Sequence, residues 1–214
     1  MSDDVQFTPA PSLEDLAYSK LQAEEQEAWL RADKYAAEAE ERRTSATAAR
    51  IFTFAAPIDR LSTRAAMHTV DEWLRRDSER PIEMILNSEG GSVIDGLGFY
   101  DFLAHVGTRV DLTIRVCGMA ASMAGIILQA ATHRVMSKHS LLMIHEVSND
   151  YMGGQLSEME DDVKFMTDLQ NRMLKILADR SKLSVAQIKK HSARKDWWLS
   201  ASVARRHGFV DAVE

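Results

Sequence analysis

From residue 51 onward, short apolar runs alternate with longer segments in which apolar residues recur at helical spacing. The runs that predict strands are Ile51–Phe54, Ile82–Leu86, Leu112–Cys117, Leu141–Ile144 and, after the helix-stop signal Gly208, Phe209–Val213. The segments that predict helices are 62–76, Ser92–Leu103 and Ser122–Ala131. Strands that alternate with helices predict an α/β fold, in which a mainly parallel sheet is covered by helices.

Residues 1–50 follow a different pattern and predict a charged helical N-terminal arm ahead of a folded domain at 51–214. Glu, Ala, Gln and Lys favour helix, but the larger apolar residues are too sparse to form a buried face. Two interpretations remain open. The arm is either a solvated helix or a docking segment anchored on Trp29 and Leu30.

A third pattern lies in residues 156–177, where apolar residues step alternately by three and four. The positions of this seam are Leu156, Met159, Val163, Met166, Gln170, Met173 and Leu177. Such a heptad pattern predicts a helix that packs along one face, either against its own domain or against a second subunit.

Composition narrows the class of protein. The chain has 214 residues, 26 Lys and Arg against 32 Asp and Glu, and a net charge of −6. An acidic chain is repelled by phosphate backbones, so we expect no nucleic-acid partner. No run approaches the roughly 18 apolar residues of a membrane span, so we expect no membrane association. The single cysteine, Cys117, excludes an intrachain disulfide and a Cys-based zinc cluster, and it indicates a cytoplasmic location.

Ser122 is the first candidate for chemistry. It lies where a strand turns directly into a helix, and Ala120 and Ala124 are small enough to allow a sharp turn that exposes the hydroxyl. The helix N-terminus favours negative charge, and the N–H of Met123 is placed to donate to an oxyanion. The alternative is that Ser122 simply caps the helix.

Three further features are individually weak. Gly90 and Gly91 follow a strand and allow a backbone N–H to face a ligand, although an ordinary tight turn has the same composition. His145 ends an apolar strand, where it is either a site residue or a structural histidine. Asp196 precedes two tryptophans that we expect to shield it from water and strengthen its hold on an imidazolium, unless it is an ordinary surface residue.

Taken together, the motifs resemble ClpP, the family of Clp protease proteolytic subunits, and its phage-encoded relatives. The resemblance covers about residues 50–214, and it rests on Asn87-Ser-Glu-Gly-Gly-Ser-Val, Gly118-Met-Ala-Ala-Ser-Met-Ala, Leu142-Met-Ile-His-Glu, Asp196-Trp-Trp-Leu-Ser-Ala and Gly208-Phe-Val-Asp. It implies the ClpP/crotonase-like fold and a serine endopeptidase that needs neither a cofactor nor a metal.

The resemblance also assigns roles. It implies that Ser122 is the nucleophile, His145 the general base and Asp196 the residue that orients it, and that Gly91 and Met123 donate to the oxyanion. An extended polypeptide substrate would lie as an added strand between two backbone segments, for which the expected residues are Gly90, Ser92, Val93, Val147 and Ser148.

The implied assembly is a pair of stacked heptameric rings, joined through a protruding handle that begins at Tyr151-Met-Gly-Gly-Gln. The implied partner is a separate AAA+ unfoldase or a phage assembly protein. Two features depart from the family: Glu89 stands where proline is usual, and the acidic arm replaces a short N-terminal segment. The rival hypotheses are a catalytically idle, ring-forming structural subunit that binds a partner through its arm and, on fold grounds alone, a crotonase-type acyl-CoA enzyme.

Overall fold

The computed structural model describes residues 20, 24, 26–31, 33–35, 49–148 and 154–214, and it divides the chain into two compact units, Met1–Ala48 and Ala49–Glu214. The described residues of the first unit are helical and exposed, including Trp29 at 65% and Tyr35 at 70% of their surface. Most of the predicted arm and the predicted handle residues 151–153 lie outside the described residues. Within the described ranges, no helix is both long and apolar enough to cross a bilayer.

The second unit contains seven strands and six α-helices among its described residues. The strands are β1 (Ile51–Phe54), β2 (Ile82–Ser88), β3 (Leu112–Ala121), β4 (His133–Met136), β5 (Leu141–Ile144), β6 (Trp197–Ser200) and β7 (Ala212–Val213). The helices are α1 (Arg60–Arg76), α2 (Val93–Gly107), α3 (Met123–Ile127), α4 (Leu156–Asp179), α5 (Val185–Ser192) and α6 (Ala201–His207).

The sheet is parallel except at one edge, which confirms the predicted mixed α/β class. Its main path runs β1-β2-β3-β4-β7, and β5 pairs with the second half of β3. Strand β6 is antiparallel to β5. The even-numbered residues of β2 and the first half of β3 are buried, including Met84, Leu86 and Ile114, while the odd-numbered ones are partly exposed. This alternation shows that one face of these strands packs in the hydrophobic core.

Some short elements were not predicted. Strands β4 and β6 and helix α5 lack both an apolar run of four residues and a clear helical period, and α6 was implied only by the stop signal at Gly208. The predicted helix from Ser122 to Ala131 is a five-residue α-helix, α3, followed by a 3₁₀ turn at Leu128–Ala130. Gly208 does end α6, and it adopts the left-handed conformation with φ 83°.

Helix α4 divides its heptad seam between two environments. Toward its C-terminal end the seam residue Leu177 is buried in the unit's own core, and Met173 is partly buried against that core. Toward its N-terminal end Leu156 and Val163 are exposed by 74% and 52%. Both interpretations of the seam therefore have a basis, each in one half of the helix.

Candidate active site

A bulge in β3 carries the chain to Ser122. The register of β2 against β3 shifts between Leu86 and Ser88, and Gly118 lies in the shifted segment with φ 106°. A Cβ atom at Gly118 would collide with the side-chain amide of Asn87, whose Oδ1 accepts a hydrogen bond from the Met119 N–H at 3.1 Å. Bulges bend a strand and redirect the residues that follow. Here the redirected half of β3 pairs with β5 and ends at Ala121, directly before Ser122.

Ser122 has the backbone of a sharp, strained turn, with φ 53° and ψ −123°. A non-glycine residue in this region costs of order 1–3 kcal/mol and persists only where its surroundings impose it. One such restraint is visible, because the Ser122 N–H donates to the Met143 carbonyl at 2.9 Å. The Ser122 side chain makes no capping hydrogen bond to α3, so the alternative of a simple N-cap is wrong.

The Ser122 hydroxyl instead contacts His145. The distance from Oγ to the imidazole Nε2 is 2.6 Å, within the range of a hydrogen bond. His145 follows the last residue of β5 and its side chain is 27% exposed. Since β3 and β5 are paired neighbours, the two residues are held by adjacent strand ends.

Asp196 lies on the other side of the imidazole, but less closely than expected. Its Oδ1 is 3.9 Å from Nδ1 of His145, which is ion-pair range but longer than a hydrogen bond. The side chain of Asp196 is 55% exposed, so the expectation that the tryptophans shield it is wrong. Trp198 is itself 48% exposed. Trp197 stacks instead on His191, with the ring centres 4.4 Å apart.

The glycine turn is held against the segment before α1. Ile58 donates its N–H to the Gly90 carbonyl at 2.8 Å and accepts from the Ser92 N–H at 2.7 Å. These bonds bracket Gly91, whose own N–H and carbonyl therefore point away from Ile58, as they do for the bracketed residue in any parallel pairing. A Cβ atom at Gly91 would collide with the Ile58 backbone, so this approach requires glycine.

A cleft opens beside the Ser122 hydroxyl. Its lining residues are Gly91, Val93, Ser122, Met123, Gly125, Ile126, Ile144, His145, Glu146, Val147, Ser148, Gln170, Met173, Leu174 and Leu177. The cleft brings together all but three of the ten predicted site residues. Asp196 lies behind His145, while Gly90 packs beneath the turn and Ser92 caps α2 by accepting from the Asp95 N–H.

Several residues of the site were not predicted. Ser88 Oγ accepts from the Gly90 N–H at 3.2 Å and donates to the Ala56 carbonyl, which fixes the glycine turn. Gln170 was noticed only as a polar interruption of the seam, yet its Oε1 accepts from the Val147 N–H at 2.8 Å. These contacts join residues at least 23 positions apart or serve a loop, so no local pattern signals them.

Among the described residues, no group of three or more His, Cys, Asp or Glu side chains is arranged to hold a metal ion. Two histidines, His191 and His207, belong instead to an aromatic cluster with Trp197 and Phe209. Burial, followed by the neighbouring His191 and Arg206, lowers the pKa of His207 below its ordinary value. The cluster anchors the first residue of β6, next to Asp196.

A serine hydroxyl within hydrogen-bond distance of an imidazole, at a sharp strand-to-helix turn, is the arrangement found in serine hydrolases. Comparison with known proteins makes the class more specific. The family model described as Clp protease matches residues 36–214. The chain therefore belongs to the Clp protease family, and it is a serine peptidase by class.

Individual relatives are similar at about 35% identity. "ATP-dependent Clp protease proteolytic subunit 3" of Synechococcus sp. (strain CC9605) is 36% identical over 140 residues, which are 64% of this chain and 68% of the relative. "ATP-dependent Clp protease proteolytic subunit" of Porphyromonas gingivalis (strain ATCC BAA-308 / W83) is 35% identical over 139 residues, 64% of this chain and 61% of the relative. "ATP-dependent Clp protease proteolytic subunit 2" of Prochlorococcus marinus (strain MIT 9312) is 35% identical over 140 residues, 64% and 67% respectively.

Proposed function

We propose that the chain is a serine endopeptidase that hydrolyses extended polypeptides through Ser122, His145 and Asp196. The observation that carries the proposal is the 2.6 Å contact between Ser122 Oγ and His145 Nε2 at a strained turn. His145 takes the hydroxyl proton as Oγ attacks the peptide carbonyl, and then gives it to the leaving amine. Water, deprotonated in turn by His145, hydrolyses the acyl-enzyme and releases Ser122.

In this mechanism Asp196 orients the imidazole and stabilises its charged form. The 3.9 Å separation is compatible with that role, because catalytic hydrogen bonds are often long without substrate and tighten in the complex. The backbone N–H groups of Gly91 and Met123 donate hydrogen bonds to the developing oxyanion. Gly91 and Met123 both line the cleft beside Ser122.

Substrate binds as an added strand in this proposal. Val93 and Ser148 both line the cleft, and we assign their backbone groups to this pairing. The Val147 N–H already donates to Gln170 Oε1. We therefore assign the backbone pairing with substrate on that side to Ser148. Ile126, Met173 and Leu174 make the deeper wall apolar, which favours a substrate with an apolar side chain next to the scissile bond.

For assembly we propose stacked heptameric rings that enclose the sites, with the exposed half of α4 as the handle between rings. Leu156, Val163 and Phe165 supply exposed apolar surface for that contact. The relatives are named as ATP-dependent, which supports a partner that uses ATP. In this proposal the partner is a separate AAA+ unfoldase, and the protein works in the cytoplasm. The alternative role is capsid-maturation proteolysis with a phage assembly partner.

We assign residues 1–50 to partner docking or assembly control, as an arm separate from the peptidase domain at 51–214. Trp29 and Leu30 are exposed on the described part of its helix, where a partner can reach them. The test is deletion of residues 1–45. Unchanged oligomer size, peptidase activity and partner binding after that deletion would refute the assignment.

The experiment that tests the catalytic proposal is intact-mass analysis after treatment with a fluorophosphonate. We expect one adduct on the wild-type chain and none on Ser122→Ala, with the same oligomer size for both proteins. Absence of an adduct from a well-formed wild-type oligomer would instead support the catalytically idle structural subunit. An adduct that persists in Ser122→Ala would show that another residue is the nucleophile.

A further inference from the structure

We propose that Glu146 is a positioning residue that holds Asp196 opposite His145. Its carboxylate Oε2 accepts a hydrogen bond from the backbone N–H of Arg194 at 3.1 Å. Glu146 directly follows His145, and Arg194 lies two residues before Asp196. One side chain thus ties the turn that carries Asp196 to the strand end that carries His145. The inference rests on the proposed role of Asp196.

The register of the sheet shows why such a tie is needed. Strands β5 and β6 are antiparallel, with Ile144 opposite Trp197 as the last pair. Continuing this register by one residue places His145 opposite Asp196, but the backbone ladder stops before it gets there. Arg194 is the next residue along that turn whose N–H bonds to the extension of β5, and it does so through the Glu146 side chain.

The turn has few other restraints on this side. Arg194 is in the left-handed region with φ 56°, a conformation that is unfavourable for residues other than glycine. The Lys195 N–H bonds to the Ser192 carbonyl at 3.3 Å, a long contact within the turn itself. Asp196 is more than half exposed and makes no hydrogen bond to His145 at 3.9 Å. Glu146 supplies a carboxylate acceptor at this point, in a hydrogen bond that is exposed to solvent. Hydrogen bonds to a carboxylate are stronger than those between neutral groups.

Asp196 is therefore restrained from both directions along the chain. On one side Trp197 is fixed by strand pairing and by stacking on His191. On the other side Arg194 is fixed by Glu146. Loss of the second restraint leaves the imidazole partner free to move, and a displacement of about 1 Å can cost about 10²-fold in rate.

The test compares Glu146→Ala with Glu146→Gln in the full-length protein, using hydrolysis of a short fluorogenic peptide and the rate of fluorophosphonate labelling. Alanine removes the acceptor, whereas the glutamine amide oxygen keeps it. We expect Glu146→Ala to lower kcat by about tenfold to a hundredfold with little change in KM. Glu146→Gln should stay within about fivefold of the wild type, because only the charge assistance is lost.

Glu79→Ala is the matched control, since Glu79 is exposed and precedes β2. It therefore lies at the N-terminal ends of the parallel strands, whereas Ser122 and His145 lie at their C-terminal ends. A double variant tests the path of the effect. If Glu146 acts through Asp196, adding Glu146→Ala to Asp196→Asn should lower kcat by less than about threefold further. The thermal midpoint and the oligomer size are measured on each protein.

Wild-type kcat in Glu146→Ala, equal losses in the alanine and glutamine variants, or full additivity with Asp196→Asn would each overturn the inference. If Glu146→Ala does not fold, Glu146→Leu replaces it, because leucine fills a similar volume without an acceptor and should show the same loss of kcat. These results are distinguishable from failure of the proposed function, because in that case the wild-type protein itself would neither label at Ser122 nor hydrolyse the peptide.

Discussion

A Cβ atom placed on Gly90 would lie 2.8 Å from the Cβ atom of Ser122 and 3.1 Å from the backbone nitrogen of Met123. The glycine turn and the serine turn are therefore packed against each other without room for a methyl group. Gly90 is predicted to contact the substrate, and in the structure it packs against Ser122 and Met123.

We predict that Gly90→Ala abolishes fluorophosphonate labelling. Alanine is strained at φ 100°, at a cost of about 1–3 kcal/mol, and its methyl group would displace Ser122 or Met123. Gly98→Ala is the control, because Gly98 lies exposed within α2 and a Cβ there meets nothing within 4 Å. The control should label normally and gain about 0.5–1 kcal/mol in the free energy of unfolding. Normal labelling of Gly90→Ala would show that the turn can shift without consequence.

Asp196→Asn should reduce kcat/KM by about 10²–10³-fold. The replacement of a buried, hydrogen-bonded aspartate in a serine protease triad costs about 10⁴-fold, and the contact here is longer and more exposed. The measurement is peptide hydrolysis at neutral pH beside the wild type. Activity within threefold of the wild type would remove Asp196 from the mechanism and leave a Ser122–His145 pair.

The double variant Leu156→Glu with Val163→Glu should reduce the size of the oligomer. Both residues are exposed on the seam of α4, where the added charges would have to be buried in an intersubunit contact. Analytical ultracentrifugation gives the size directly. Lys164→Glu, which adds an acidic side chain outside the seam, is the comparison. An unchanged sedimentation coefficient in the double variant would place the subunit interface elsewhere.

Asp211→Asn should destabilise the protein at neutral pH by about 1–3 kcal/mol, less than a fully buried pair because Asp211 is 46% exposed. Burial raises the pKa of the Asp211 carboxyl, but hydrogen bonds from the side chain and backbone of Arg134 outweigh it, so the pKa lies below its ordinary value. Arg134, 8% exposed, would lose its carboxylate partner.

The sign of the pH dependence follows from that lowered pKa. The stabilisation by Asp211 is complete above the pKa of the unfolded carboxyl, and it is lost as the pH falls through the folded one. Urea unfolding should therefore show a gap between wild type and Asp211→Asn at pH 7 that narrows toward pH 3. A gap that is constant across this range would mean that the charge of Asp211 contributes nothing.

Local patterns in the sequence account for the mixed α/β class and for the surroundings of Ser122. Apolar runs such as Leu141–Ile144 form strands, because pairing with neighbouring strands satisfies the backbone groups of a short buried segment. The small residues around Ser122 permit a sharp turn, and the position of His145 after β5 places it at a sheet edge. All of these signals lie within a few residues of the feature they predict.

The tertiary structure decided what depends on distant segments. The antiparallel register of β6 against β5 brings Asp196 to His145 across 51 positions, and no periodicity encodes that pairing. Whether the tryptophans cover Asp196 depended on where the rings could stack, and Trp197 turned toward His191. The burial of one half of α4 and the exposure of the other likewise depend on which elements lie beside each half, a property of packing that the heptad spacing alone does not contain.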